Sequence, residues 1–74
     1  MTSFHWTPAR MDQLERAAQS GRRVVLMRRG TEYVVVARRL LHTGGRDTLI
    51  GYLPMTGEEQ RFELAELDEF HVLP

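Results

Sequence analysis

The chain has 74 residues, and its ten arginines balance ten acidic residues to a formal net charge of zero, with no lysine and no cysteine. A domain of this size has a modest core and little room for an enclosed active site; without cysteine it has no disulfide framework and no thiolate metal site, which favours a cytoplasmic protein. Its longest apolar runs, residues 24–27 and 34–37, are too short for a membrane span or for the core of a signal peptide.

The first predicted element is a helix over residues 7–20, preceded by an N-terminal arm over residues 1–6. Thr7 is a favourable N-cap, Pro8 suits the first helical position, and Gly21 supplies the left-handed residue that ends a helix. Apolar residues recur three to four positions apart on one side of this segment. A single short helix of this kind must dock against other elements to be stable.

The rest of the chain is rich in β-branched residues and is expected to form a small β-barrel over residues 22–73. Gly30-Thr31 is placed to form a two-residue type II′ turn that pairs the first two strands. The glycine-rich segment 42–47 is expected to be a loop, and Gly51 suits a bend within the third strand. The five strands are expected at residues 22–29, 32–41, 48–53, 58–64 and 69–73.

These elements predict one α+β domain over residues 1–74 that is mostly β. An N-terminal helix precedes a five-stranded antiparallel sheet, which is expected to be strongly bent or closed into a small barrel of the Sm-like or SH3 type.

The neutral net charge conceals two oppositely charged halves. Residues 1–47 hold nine arginines and four acids, a formal charge of +5, whereas residues 48–74 hold one arginine and six acids, a formal charge of −5. Such a split is typical of a protein that faces a polyanion or a partner of complementary charge. It is equally typical of a domain whose two halves pair with each other.

Arginine pairs lie at the ends of the first two predicted strands. With a turn at Gly30-Thr31, Arg23 would lie opposite Arg38, and four arginines would meet at the open end of the hairpin. Like charges that face each other on a sheet call for an anionic neighbour, either the acidic half of the chain or an external phosphate. The predicted contacts to a ligand or nucleic acid are Arg22, Arg23, Arg38, Arg39 and Arg61.

No combination of residues supports catalysis. The two serines, Ser3 and Ser20, lie at a terminus and at a helix end, and neither has the surroundings of a hydrolase nucleophile. His5, His42 and His71 lie in three different elements without the spacing of metal ligands. We therefore predict no enzyme activity, no catalytic residue, no metal and no cofactor.

Short motifs resemble those of the WYL domain of bacterial regulators, an Sm-like barrel of the SH3 type. Residues 49–52 (Leu-Ile-Gly-Tyr) are similar to the end of the family's naming motif, and residues 60–64 with Leu67 are similar to its closing motif. The resemblance implies a transcription regulator that binds nucleotide-type ligands or nucleic acid. Arg61 matches a residue of the family's binding groove, whereas Asp47-Thr48 stand in place of the Trp and Tyr of the motif.

A second resemblance is to the Rho-inhibitor family of small, free-standing Sm-like proteins. Trp6-Thr7-Pro8 and residues 11–15 (Met-Asp-Gln-Leu-Glu) are similar to the start of that family's helix. This resemblance implies protein contact with a transcription terminator.

Two functions follow as predictions. One is a small, non-enzymatic regulatory module that contacts an anionic ligand or nucleic acid, either RNA or single-stranded DNA, through its arginines. The other is a protein-interaction module that works as a homo-oligomer or on a transcription partner, with its open sheet edges paired to another chain. Neither function involves a membrane.

Overall fold

The computed structural model describes residues 6–74, in which a helix is followed by five antiparallel strands. The helix is α1 (Pro8–Ser20), and the strands are β1 (Arg23–Arg28), β2 (Thr31–Thr43), β3 (Arg46–Tyr52), β4 (Glu59–Glu63) and β5 (Glu69–Val72). A short 3-10 turn (Leu64–Glu66) connects the last two strands. The strands form one sheet in the order β4-β3-β2-β1-β5, which confirms the predicted class of an α+β, mostly β, fold.

Helix α1 begins and ends where its capping residues predict. Thr7 is extended, and its hydroxyl oxygen accepts a hydrogen bond from the backbone N–H of Arg10 at 3.2 Å. Gly21 ends the helix with a left-handed φ of 64°, and its N–H bonds back to the carbonyl of Ala18. Both ends are set by local chemistry, so sequence alone predicts them.

The turn between β1 and β2 lies one residue earlier than the sequence predicts. Arg29 and Gly30 form it with φ of 52° and 77°, the two positive values of a type I′ turn, so the predicted type II′ turn at Gly30-Thr31 is wrong. Asp68 holds this turn from outside the hairpin. Its carboxylate accepts a hydrogen bond from the N–H of Arg29 at 2.9 Å, and its own N–H donates to the carbonyl of Met27 at 2.7 Å.

The earlier turn changes the pairing of the first hairpin. Arg23 lies opposite Val36, and the predicted pairing of Arg23 with Arg38 is wrong. Because the register moves by two residues, the same side chains still face the core, with Val24 opposite Val35. The hydrophobic pattern therefore predicts the buried face correctly but not the neighbours of each arginine.

The second hairpin is longer than the sequence predicts. Segment 42–47, expected to be a loop, is mostly strand, because β2 runs to Thr43 and β3 begins at Arg46. Gly44 and Gly45 form the turn with φ of 59° and 76°. Two consecutive glycines accept both positive φ values without strain, which allows the strands to continue to the turn.

A β-bulge interrupts β2 at Arg38. The pairing with β3 shifts between Ala37, which lies opposite Gly51, and Arg39, which lies opposite Ile50. Strict alternation would turn one of two consecutive arginines toward the core. With the bulge, both Arg38 and Arg39 are exposed.

Gly51 lies against the backbone of this bulge. A Cβ atom at this position would lie 2.8 Å from the carbonyl oxygen of Val36 and 3.2 Å from Cγ2 of Val35. Since the closer atom belongs to the backbone, Gly51→Ala can be accommodated only if the bulge moves. We expect a loss of about 1–3 kcal/mol in the free energy of unfolding, measured by urea denaturation. A loss below about 0.5 kcal/mol, typical of a surface change, would contradict the close approach.

Helix α1 covers one face of the sheet, and the core lies between them. The core cluster comprises Leu14, Ala17, Ala18, Val24, Leu26, Val35, Ala37, Leu49, Phe62, Leu64, Leu67 and Phe70. Trp6 stacks on Phe70 with ring centroids 5.0 Å apart, and its indole N–H donates to the carbonyl of Leu64 at 2.7 Å. The predicted arm is thus tied to the core at residue 6, while residues 1–5 lie outside the described residues.

The sheet stays open. Within residues 6–74, β4 pairs with β3 alone and β5 with β1 alone, and the sheet neither closes nor curls strongly. The expected strong bend or closure is therefore not found. Across the core, the rings of Tyr33 on β2 and Phe62 on β4 meet edge to face with centroids 5.3 Å apart. No helix in this described part has the length and apolar composition needed to cross a membrane.

Candidate anion-binding surface

The five predicted contact residues are all exposed, but they do not form one cluster. Side chains alternate along an extended chain, so Arg22 and Arg23 lie on opposite faces of the sheet. Arg22 is on the helix side, where it lines a groove of about 430 Å³ with Arg16 and Ala17 of α1. The expected cluster of four arginines at the end of the first hairpin is therefore found only in part. Arg23, Arg38 and Arg39 share the other face of the sheet, and alternation separates Arg22 from them.

The other four arginines lie on the face of the sheet that α1 leaves uncovered, which we call the outer face. Arg39, Ile50 and Arg61 are directly opposite one another on β2, β3 and β4, so they form one row on this face. Neighbouring strands are about 4.8 Å apart, which places the Cα atoms of the two arginines roughly 10 Å from each other.

Ile50 shows how this row packs. Its side chain is 6% exposed although it does not belong to the core cluster between sheet and helix. The atoms that shield Ile50 from solvent must therefore belong to its neighbours on the outer face. The aliphatic stems of the flanking arginines are suited to this, because arginine covers apolar surface with its stem while its charged end stays in water.

A second row adds an aromatic ring. Arg23, Val36 and Tyr52 lie opposite one another on β1, β2 and β3. From the bulge, Arg38 places its guanidinium carbon 5.7 Å from the centroid of the Tyr52 ring, a cation–π contact. We define the arginine surface by its members, Arg23, Arg38, Arg39, Ile50, Tyr52 and Arg61.

The charges of the arginine surface are not neutralised by the acidic half of the chain. Among residues 6–74, none of its four guanidinium groups lies within ion-pairing distance of a carboxylate. Arginines elsewhere do form ion pairs, such as Arg16 with Asp12 at 3.1 Å and Arg46 with Glu63 at 3.5 Å. Glu59, opposite Tyr52, extends the second row and lowers the formal charge of the surface from +4 to +3. Of the two explanations for the charge asymmetry, pairing between the halves is not found at these residues.

Arg28, a further arginine of the first hairpin, has a structural role. Its guanidinium carbon lies 5.0 Å from the ring centroid of Tyr33 and 5.1 Å from that of Phe62. Its Nη2 also donates to the hydroxyl of Tyr33 at 3.3 Å. The side chain therefore closes one end of the core and is not available to a ligand in the way that the arginine surface is.

A shallow groove borders the arginine surface. It has a volume of about 670 Å³ and lies between the end of α1 and the bulge. Arg38 and Tyr52 line it on the sheet side, and Gln19 and Ser20 line it on the helix side. The groove is open to solvent, so a planar group could enter it beside the guanidinium groups.

His42 joins the second hairpin to the helix. Its Nδ1 lies 2.5 Å from a carboxylate oxygen of Asp47, and its Nε2 lies 3.8 Å from one of Glu15 on α1. The hydrogen bond to Asp47 is the main cause that raises the pKa of His42 above its ordinary value of 6.5, and Glu15 adds to it. In the described part of the chain, no group of three or more His, Asp or Glu side chains is arranged to hold a metal ion.

The raised pKa of His42 predicts a pH dependence. Protonated His42 should contribute its full stabilisation below pH 6.5, and this contribution should be lost as the pH rises through the higher pKa of the folded state. We expect an NMR titration of the His42 ring to have its midpoint above 6.5, and Asp47→Asn to lower that midpoint. The same midpoint in both proteins would contradict the contact.

No protein-family model matches the chain, and a comparison with the curated proteins finds no match. The functional conclusion therefore depends on the chemistry of the surface itself. The sequence did not predict the bulge at Arg38 or the roles of Ile50 and Tyr52. Two consecutive arginines inside a strand pattern are a signal of a bulge, because alternation cannot keep both exposed.

Proposed function

We propose that this protein is a small, cytoplasmic, non-enzymatic regulatory module whose arginine surface binds the phosphate backbone of single-stranded nucleic acid. One observation carries the proposal. Four guanidinium groups without carboxylate partners share an open sheet face with an aromatic ring. Guanidinium forks match phosphate oxygens bidentately, which makes arginine suited to such contacts.

The composition of the surface favours a single strand over a duplex. Proteins that bind single strands without strict sequence preference combine a basic surface with aromatic rings on which bases stack. Tyr52 and the adjoining groove supply one such position beside Arg38. With a single aromatic ring, contacts to phosphate should dominate the affinity and sequence preference should be weak.

The fold supports a setting in transcription regulation. A helix followed by five antiparallel strands is what the resemblances to the WYL domain and to the Rho-inhibitor family imply. We propose that the protein is a relative of these Sm-like modules with an open sheet. Arg22 does not belong to the proposed interface, because it lies on the helix side.

Salt dependence tests the proposal. Fluorescence anisotropy with labelled oligothymidylate and oligouridylate should show binding at low ionic strength. Four phosphate contacts to a single strand predict that the logarithm of the association constant falls with that of the salt concentration with a slope of about −3. A duplex of matched length should bind more weakly. Failure to bind either oligonucleotide at low ionic strength, or binding that salt does not weaken, would contradict the proposal.

A further inference from the structure

The middle parts of strands β1 and β2 are apolar on both faces. A sheet with one solvated face alternates apolar and polar residues, and two apolar faces are typical of strands that are covered on both sides. Val24 and Val35 face the core, yet Val25 and Val34, which pair with each other, lie on the outer face. Val34 is 40% exposed. We call Val25, Met27, Val34 and Val36 the valine surface.

Charge is ordered along the outer face on either side of the valine surface. At one end, Glu32 and Glu69 lie opposite Met27 from β2 and β5. At the other end is the arginine surface, with Arg39 seven positions beyond Glu32 along β2, roughly 23 Å at the rise of an extended strand. Glu32 has no arginine within ion-pairing distance in the part of the chain that is described.

We propose that a second copy of this chain docks on the outer face with the two β2 strands antiparallel. In this arrangement the valine surfaces face each other, and Glu32 of each copy lies against Arg39 of the other. A two-fold axis in the interface plane, crossing β2 between Val34 and Val36, generates both contacts.

Charge complementarity selects this occupant and this orientation. The order acidic, apolar, basic along the outer face complements itself only when one copy is reversed. A parallel arrangement would place the arginines of both copies together, which is unfavourable. The dimer uses a sheet face, so it differs from the pairing of sheet edges that the sequence predicts for an interaction module.

The inference does not rest on the proposed function, although the two share residues. Arg38 and Arg39 would contact either phosphate or the acidic end of a second copy. Nucleic acid and the second copy should therefore compete for the outer face.

Analytical ultracentrifugation of the full chain tests the inference. We expect a mass that rises from monomer to dimer with concentration. Val34→Asp should abolish the dimer, because it buries an unpaired charge at the centre of the interface. Arg39→Glu and Glu32→Arg should each raise the dissociation constant about tenfold or more, because each places like charges together. The double variant E32R/R39E exchanges the acidic and the basic residue, so opposite charges face each other again and the affinity of the dimer should be restored.

Controls separate the interface from general effects. Circular dichroism must show that each variant is folded, and Arg16→Glu, on the helix side, should leave the dimer unchanged. A strict monomer at millimolar concentration, a dimer that survives Val34→Asp, or a double variant that is not rescued would each overturn the inference. Binding of oligonucleotide by a strict monomer overturns this inference alone. A dimer whose monomeric variant Val34→Asp, with the arginine surface free, binds no oligonucleotide overturns the proposed function alone.

Discussion

Reversing the charges of Arg39 and Arg61 together is expected to weaken oligonucleotide binding at low ionic strength by at least about a hundredfold. A hydrogen bond to a charged group contributes about 1.5–3 kcal/mol, so the loss of two phosphate contacts corresponds to roughly 3 kcal/mol or more. The salt slope should become shallower by about 1.4, because two contacts to a single strand are lost. Both positions are exposed, but their aliphatic stems flank Ile50, so the free energy of unfolding should fall by about 1 kcal/mol, too little to unfold the chain.

The matched control changes the same number of charges on the helix side. Arg16→Glu with Arg22→Glu alters the net charge by the same amount, and both residues line the groove beside α1. This control should lose far less affinity than the outer-face pair. If both pairs lose affinity equally, net charge and not the arginine surface governs binding.

Replacing Phe62 by alanine is expected to have the largest effect on folding. Phe62 is fully buried, packs edge to face on Tyr33 and lies under the guanidinium group of Arg28. Such a truncation costs about 3–5 kcal/mol. At about 0.05–0.15 kcal/mol per residue, the whole chain is stable by roughly 4–11 kcal/mol, so this variant should lose a large share of its stability.

Urea denaturation followed by the fluorescence of Trp6 measures this loss. Tyr33→Phe is the control, because it keeps the ring beside Phe62 and removes only the hydroxyl that accepts from Arg28, at a cost of about 0.5–1.5 kcal/mol. If Phe62→Ala costs less than Tyr33→Phe, the ring is not at the centre of the core.

Capping residues and hydrophobic patterns predicted the helix and the strands, whereas contacts between distant residues determine how the strands pair. Thr7 and Gly21 define helix α1 from within a few residues of its ends. The first turn differs because Asp68, 39 residues away from Arg29, holds it through a hydrogen bond. No pattern near Gly30 carries that information. Whether the sheet closes likewise depends on whether its edge strands β4 and β5 can pair, which hydrophobic periodicity does not determine.

The candidate site was predicted by residue type and not by geometry. The arginine runs identified the side chains, but their grouping depends on the register of β1 and on the bulge at Arg38. Alternation alone separates Arg22 from Arg23, and the bulge brings Arg38 to Tyr52. Arg61 joins the surface only because Ile50 lies opposite it in the sheet. These cross-strand relations are long-range and cannot be deduced from one sequence.

Mapping of amide chemical shifts on the isotope-labelled protein tests most directly whether the outer face binds nucleic acid. Titration with oligothymidylate at low ionic strength should shift the amides of Arg38, Arg39, Ile50, Tyr52 and Arg61, while residues 12–16 of α1 stay unchanged. Added salt should reverse the shifts. Shifts confined to α1 and Arg22, or no shifts at low ionic strength, would contradict the assignment of the arginine surface.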